Sequence, residues 1–482
     1  MEDRRLRNIA RLKTEPWDVL IVGGGINGAG IARDLMLRGA DLRVALVEKN
    51  HFASGTSGRN SQLIHGGLRY LKYFDFGLVR EALHERATLI RIAPELVRPL
   101  RFLIPCYGGS DRWFYGAGLT LYDALAGSRS IGSHRALDGA QIRALEPSLA
   151  AENLRAGLLF FDGQVNSARL VLENILDAEA RGACVANYVA VNYIDDQGAG
   201  RHVTARDSLT GETFPVTARR IVDAAGAWSK GSPLRLVRGS HLIFPRIQQG
   251  DEAIAYFDEQ GRIVFLIPWG EDNDLTLVGT TDVDHNGSPD DVHISPEEAN
   301  YLRSIVRRLF PSYRAEAVTS YSSLRPLIAE TGRSATSTSR EHRIWETAGG
   351  TLHIAGGKYT TYRSMSEELV DILVQELRPG RCLPCRTAQS RMNVVVPPKD
   401  PLARVRLAVE REFARGLADL VYVSTYWGHE RHMTLEWLGP LAREMGAMLG
   451  WGPARTYSEI EEVAASQGPL FNGAAGSSGQ AR

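Results

Sequence analysis

An α/β fold with three regions of different character is predicted by three observations. These are an apolar run ending in consecutive glycines near the N-terminus, a long strand-rich middle, and amphipathic helical spacing toward the C-terminus. Asp18-Val19-Leu20-Ile21-Val22 is apolar and partly β-branched, as expected of a strand buried on both faces, and Gly23, Gly24 and Gly25 end it. Ile26 to Leu37 then reads as a helix stopped by Gly39, and Val44-Ala45-Leu46-Val47 as a second buried strand ending at Glu48. Together they make one Rossmann-like βαβ unit.

Ahead of that unit, residues 1–16 form a basic arm (Arg4, Arg5, Arg7, Arg11, Lys13) with Leu6, Ile9 and Leu12 on one potential helical face. An untethered terminus of this kind is expected to fray; the alternative is a short helix touching a membrane surface or another subunit. Farther on, Ser167 to Arg181 has helical apolar spacing, Val203 to Val216 reads as a hairpin turning at Thr210-Gly211, and Arg220 to Gly226 as a strand entering a tight turn. Between about Gly239 and Leu352 strand signals dominate (Ile243 to Phe244, Ile263 to Ile267, Leu275 to Gly279), interrupted by a helix from Pro296 to Phe310. Leu402 to Leu417 and Thr434 to Leu449 read as amphipathic helices in a small appendage over 381–470, and 471–482 as a disordered tail.

The composition is that of a folded protein: 482 residues, 44% hydrophobic and 8% aromatic, long enough for about two or three folded units. Balanced charge, 56 Lys+Arg against 56 Asp+Glu, argues against nucleic acid as a partner, because that binding needs a cationic surplus. Four cysteines make no disulfide framework and fit a reducing compartment, and the N-terminal stretch lacks the apolar core of an export signal. No run approaches the length of a membrane-spanning helix. Cys382-Leu383-Pro384-Cys385 lacks a second ligand pair, so it reads as a loop with two incidental thiols, and no metal is expected.

Gly23-Gly24-Gly25-Ile26-Asn27-Gly28 matches G-x-G-x-x-G in the context that motif requires, with a buried strand before it and a helix after it. The first glycine permits the tight turn, the second lets backbone approach a pyrophosphate, and the third lets helix and strand pack closely. Amides at the helix N-terminus then face the anion. Glu48 ends the second strand, placed to accept hydrogen bonds from a ribose, which favours NAD or FAD over NADP. The turn at Ala225, Gly226 and Trp228 and the pair Gly356-Gly357 supply further backbone approaches far downstream, as a long flavin cofactor needs. FAD is therefore expected.

Seven stretches in order carry a resemblance: VGGGINGAGIARD from Val22, LIHGGLRYL from Leu63, ALHERATLIRIA from Ala82, VRGSH from Val237, VGTTD from Val278, YSSLRPL from Tyr321 and GGKYTTYR from Gly356. Over roughly Trp17 to Arg378 the chain resembles the FAD-dependent, quinone-linked (aerobic) glycerol-3-phosphate dehydrogenases, within the glycine/D-amino-acid oxidase-like flavoproteins. The resemblance implies oxidation of sn-glycerol 3-phosphate to dihydroxyacetone phosphate, with the electrons passed to a membrane quinone. It also implies peripheral attachment to the inner face of the cytoplasmic membrane, and it leaves a homodimer open.

By the same resemblance Arg69, Tyr70, Arg325 and Lys358 bind substrate, and a phosphate monoester does call for several cations capable of charge-assisted hydrogen bonds. Oxidising a secondary alcohol needs a base within reach of its hydroxyl, and the resemblance gives that role to His241, with Arg325 competing to polarise the oxygen. Cofactor contacts are expected at Gly23, Gly25, Ile26, Asn27, Gly28, Glu48, Ser61, Leu63, His65, Gly66, Gly67, Ala225, Gly226, Trp228, Gly356, Gly357, Lys358, Tyr359 and Thr360. The FAD-binding segments are expected at about 17–80, 150–235 and 346–380, with a substrate domain over 81–149 and 236–345.

Two departures from the family pattern stand out. Gln62 occupies a position where the family usually has Lys, with Arg59 and Asn60 also unusual, which bears on one flavin contact. The region after Arg391 is short, so the helical cap is expected to be reduced, with consequences for assembly and not for the flavin site. The alternatives are an oxidase using dioxygen, an FAD enzyme acting on an amine or amino acid, and a non-catalytic flavin-binding protein.

Overall fold

The computed structural model describes residues 3–195, 201–230, 234–329 and 341–467. The expected tail, 471–482, lies outside the described residues. In chain order the elements begin with α1 (Arg4–Thr14), β1 (Trp17–Val22), α2 (Ile26–Arg38), β2 (Val44–Val47), β3 (Leu63–Ile64), α3 (Phe76–Ile92), β4 (Val97–Cys106) and α4 (Asp111–Ala126). There follow β5 (Arg135–Asp138), α5 (Gly139–Leu145), β6 (Ala156–Val165), α6 (Ser167–Ala180), β7 (Cys184–Ala186), β8 (Val189–Asp195), β9 (Arg201–Asp207) and β10 (Thr213–Asp223). The middle comprises β11 (Leu234–Pro245), β12 (Ala253–Phe257), β13 (Ile263–Trp269), β14 (Leu275–Gly279), β15 (Val283–Asp284), α7 (Pro296–Leu309) and β16 (Thr319–Ile328). The chain closes with β17 (His342–Glu346), β18 (Leu352–Gly356), α8 (Tyr362–Leu377), α9 (Pro401–Arg411), α10 (Leu417–Asp419), α11 (Trp427–Glu430), α12 (Leu435–Leu449) and α13 (Pro453–Ser466).

Two sheets organise these elements. The first runs β17-β18-β10-β1-β2-β7, with β9 and β8 added beside β10. Its central strands are parallel, and Val22 stands in register with Val47 on one side and Asp223 on the other. The carboxyl ends of β1, β2 and β10 therefore meet at one edge, where open α/β sheets bind their ligands. Helices α2, α6 and α8 cover one face through Ile31, Leu35, Leu172, Ile175, Leu369 and Leu373. The second sheet runs β15-β11-β14-β13-β12-β4-β6-β3, with β16 on β11 and β5 on β6. Helix α7 packs Leu302, Ile305 and Leu309 against it, its start fixed by a capping box between Ser295 and Glu298.

Three expectations need correction. The N-terminal arm is an ordered helix: Asp3 caps it, Ile9 and Leu12 are buried against the first sheet, and Arg5 makes a buried two-point ion pair with Asp207 at 2.7 and 3.2 Å. A side chain that far inside needs such a partner, and Asp207 lies two hundred residues away, invisible to local reading. The segment 150–235, expected wholly in the cofactor unit, divides between the sheets, since β6 pairs with β4 along its whole length. Leu63 and Ile64, expected in the first cofactor segment, also join that second sheet, through β6. The helix expected over Leu402 to Leu417 ends at Arg411, because Phe413 turns to φ 63° and breaks the repeat.

Candidate functional site

The turn between β1 and α2 admits only glycine at two places. Gly23 has φ 114°, and a Cβ there would lie 2.6 Å from the Ala224 carbonyl oxygen. A Cβ on Gly28 would lie 2.0 Å from the Gly23 oxygen. In this turn the amides of Gly24 and Ile26 donate to Glu48 Oε2 (2.7 Å) and Ser57 Oγ (2.9 Å). Glu48 Oε1 accepts from the Asn50 amide at 2.9 Å. Burial raises the Glu48 pKa against the pull of these amides, and each oxygen keeps a lone pair for a ribose hydroxyl.

At the end of β10, Asp223 holds the following turn, accepting from the Ala225 amide (2.9 Å) and the Ser229 hydroxyl (2.7 Å). Burial would raise this carboxyl, but His353, Ala225 and Ser229 outweigh it and hold it below the usual range. Trp228 lies farther out, donating to Asp290 at 2.8 Å beneath the Lys49 ammonium. A third backbone approach comes from Gly356 and Gly357, at φ 75° and 76°. Thr360 Oγ1 pairs with both the amide and the carbonyl of His65 (3.1 and 3.2 Å), so the 63–67 loop and the start of α8 are one surface. Beneath them Asp162 accepts from the Gly66 amide and is itself gripped by Arg86 and Tyr122.

Beside this cradle the predicted substrate residues converge. Asp282 binds Arg69 Nη1 through Oδ2 (3.0 Å) and Arg325 Nη1 through Oδ1 (2.8 Å). Arg325 Nη2 also donates to Thr280 Oγ1 at 2.8 Å. The Lys358 ammonium lies 4.2 Å from the centre of the Tyr70 ring and the Arg69 guanidinium 5.4 Å from it. Burial alone would lower the Arg69 pKa, yet Tyr70 and Asp282 turn the net shift upward, so this cation stays charged. Asp282 closes the VGTTD stretch, and only the pairing of distant strands shows that it joins the two arginines.

His241 sits on β11 between Gly279 of β14 and Tyr321 of β16. Two glycines make the room: a Cβ on Gly279 would lie 2.2 Å from His241 Cδ2, and one on Gly239 would lie 2.3 Å from Arg325 Nη2. His241 Nε2 is 2.9 Å from Ser61 Oγ, while its Nδ1 is buried without a hydrogen-bond partner. Burial, then the charge of Arg325, lower its pKa to about 3, so the imidazole is neutral over the ordinary pH range. Ser61, expected at the cofactor, thus reaches His241. Loop 56–61 lies along β16, with Tyr321 donating to the Asn60 carbonyl at 2.6 Å and Ser323 to that of Arg59.

Gln62 faces inward: its Oε1 accepts from the Ser167 amide (2.9 Å) and its Nε2 donates to Gly58 and to Tyr426 Oη. Tyr426, from the C-terminal helical piece, also bonds the Ala168 amide (2.8 Å) and the Gly58 carbonyl (2.9 Å). The His429 ring lies 4.8 Å from that of Tyr321. The C-terminal piece therefore supports loop 56–62 and the strand beside His241. Its aromatic residues gave no sequence signal, because their partners lie hundreds of positions upstream. Cys382 is exposed, Cys385 Sγ lies 3.0 Å from Thr387 Oγ1, and no acid, His and Cys group among the described residues could hold a metal.

The family model described as FAD-dependent oxidoreductase matches residues 18–363. The chain is 38% identical over 417 residues to a glycerol-3-phosphate dehydrogenase of Synechocystis sp., covering 79% of this chain and 74% of that protein. It is 37% identical over 371 residues to a D-erythritol 1-phosphate dehydrogenase of Brucella abortus, covering 73% and 72%. The solved glycerol-3-phosphate dehydrogenase of Bacillus halodurans, complexed with FAD, superposes with a TM-score of 0.78 at 25% identity, over 97% of this chain and 99% of that one. The cofactor is FAD, and the glycine turn that a Cβ would fill, Glu48 at the end of β2 and the Gly356-Gly357 pair fit it.

Proposed function

The chain belongs to the FAD-dependent glycerol-3-phosphate dehydrogenase family, and on that premise we propose that it oxidises sn-glycerol 3-phosphate to dihydroxyacetone phosphate and passes the electrons to a membrane quinone. One observation carries the substrate half: Arg69 and Arg325, from distant segments, share the carboxylate of Asp282, and Lys358, from a third, lies over the Tyr70 ring that also faces Arg69. Cations brought together from three segments suit a phosphate monoester, which carries close to two negative charges. Bound FAD supplies the hydride acceptor. Lys358, Arg69 and Tyr70 hold the phosphate, Arg325 polarises the substrate hydroxyl, and neutral His241 takes its proton at Nε2, next to the Ser61 hydroxyl.

Kinetics with glycerol 3-phosphate and a four-carbon polyol phosphate test the substrate, since the Brucella relative favours the longer chain as the second reading. A higher kcat/KM for the three-carbon ester supports the proposal; a higher value for the four-carbon ester replaces it. Quinone reduction measured against peroxide yield decides between quinone and dioxygen as acceptor. Because a quinone is dissolved in the bilayer, this reading puts the protein at the inner face of the cytoplasmic membrane, peripherally attached, as a monomer or homodimer. No helix among the described residues is long and apolar enough to cross a membrane.

A further inference from the structure

Side chains alternate along a strand, and β11 uses the alternation to separate two kinds of residue. Gly239 and His241 lie on the face that meets Arg325 and Ser61. Arg238, Ser240 and Leu242 lie on the other, toward α7. Leu242 shares an apolar core with Leu302 and Ile305, but at the start of α7 the same interface is polar, and Glu298 makes it so. As the third residue of the helix, Glu298 needs one carboxylate oxygen for its capping box, where Oε2 accepts from the Ser295 amide at 3.0 Å. The other oxygen turns into the sheet and accepts from two hydroxyls, that of Ser240 at 2.9 Å and that of Thr281 at 2.5 Å. Arg238 Nη2, 2.7 Å from Oε2, balances the charge. Glu298, Ser240 and Thr281 are all buried. A carboxylate taken out of water needs such partners, whereas a helix cap by itself calls for neither hydroxyl.

Thr281 carries the contact onward. Its hydroxyl also accepts from the Ser240 amide (3.0 Å), which pins loop 280–282, between β14 and β15, to β11. That loop holds Arg325 at three consecutive residues. Thr280 Oγ1 accepts from Nη2 at 2.8 Å, the Thr281 carbonyl from Nη1 at 3.1 Å and Asp282 Oδ1 from Nη1 at 2.8 Å. Displacing the loop therefore displaces the guanidinium, and Asp282 extends the effect to Arg69.

We propose that Glu298 is a positioning residue for the oxidation: from behind the sheet it fixes Thr281, and through Thr281 the guanidinium of Arg325. The inference rests on the proposed function for what Arg325 acts on, and on the hydrogen bonds alone for how Arg325 is held. A double-mutant cycle with the FAD-loaded protein tests it. Thr281→Val removes the hydroxyl at nearly constant volume, Thr281→Ser keeps it, and Glu298→Gln sets an amide against the Arg238 and Ser295 donors. Thr281→Val and Glu298→Gln should each lower kcat/KM for glycerol 3-phosphate at least about tenfold with FAD content unchanged, and Thr281→Ser by less than about twofold. In an Arg325→Ala background the first two substitutions should cost less than about twofold, because the group they position is gone. Equal losses in both backgrounds would assign Glu298 to the packing of α7 and overturn the proposal, as would a wild-type kcat/KM in Thr281→Val. The holding of Arg325 is also measured without substrate, by NMR of the guanidinium nitrogens. The two Nη atoms should give separate resonances in the wild type and one averaged resonance in Thr281→Val. Identical resonances in the two proteins overturn the proposal. A wild type that leaves glycerol 3-phosphate unoxidised, while these resonances respond as expected, defeats the proposed function and upholds the positioning of Arg325.

Discussion

Arg69 and Arg325 grip opposite oxygens of one carboxylate, at 3.0 and 2.8 Å from Asp282. The first arginine comes from the 3-10 helix Leu68–Tyr73 and the second from β16, so the pair ties that helix to the second sheet. In the proposed reaction this shared carboxylate fixes Arg69 for the phosphate and Arg325 for the hydroxyl before the ligand arrives.

Replacing Arg325 by Ala should lower kcat/KM at least about tenfold, because a hydrogen bond to a charged group is worth about 1.5–3 kcal/mol. Arg69→Ala should act chiefly on KM, as expected of a residue that binds the phosphate in ground and transition states alike. Steady-state kinetics of the two variants separate these outcomes; a wild-type kcat/KM in Arg325→Ala would remove that residue from the site.

The glycines opposite these side chains are as necessary as the side chains. Gly279→Ala places a Cβ 2.2 Å from His241 Cδ2 and Gly239→Ala one 2.3 Å from Arg325 Nη2, so each should displace a functional group while leaving the cofactor turn untouched. Loss of at least about tenfold in kcat/KM with normal FAD content is expected for both. Full activity in Gly279→Ala would show that His241 is not held as described.

His241 should be neutral throughout the working pH range, since burial, then Arg325, bring its pKa to about 3. A reaction that needs the neutral imidazole is supported above that value and fails only as pH falls through it. Histidine NMR of the protein should therefore show no protonation of His241 at pH 5. A midpoint near the usual 6.5 would contradict the buried position.

His429 is displaced in the same direction, to about 3, by burial and then Arg59, and it lies outside the reaction. The unfolded chain binds a proton here below about pH 6.5 that the folded chain refuses until about 3, so stability is lost as pH falls through that window. His429→Gln should abolish roughly 2 kcal/mol of the loss between pH 7 and pH 5, measured by urea unfolding. An unchanged pH slope would argue that this ring is solvated.

Tyr426 joins Gly58, Gln62, Ser167 and Ala168 through one hydroxyl. Tyr426→Phe strands several buried polar groups and should cost about 1–3 kcal/mol in urea unfolding, with looser FAD binding as the flavin loop loses its support. Wild-type stability would show that water replaces the hydroxyl.

What the sequence made legible was local. The turn from Gly23 to Gly28, the acid Glu48, the helix opening at Pro296 and the hairpin about Gly211 follow from spacing, caps and turn chemistry within a few residues. Partners brought together from far along the chain were not legible. Arg5 finds Asp207, β6 leaves the cofactor sheet for β4, and Tyr426 reaches back to Gly58. In the site the cationic residues carried recognisable motifs, whereas Asp282 and Ser61 acquire their partners only through strand register and loop packing.

The most direct measurement is an anaerobic titration of the flavin absorbance with glycerol 3-phosphate. The wild type should bleach stoichiometrically, and Arg69→Ala should require at least about tenfold more ligand. Absorbance that stays unchanged with this ester while bleaching with glycine or sarcosine would contradict a phosphate clamp beside the flavin.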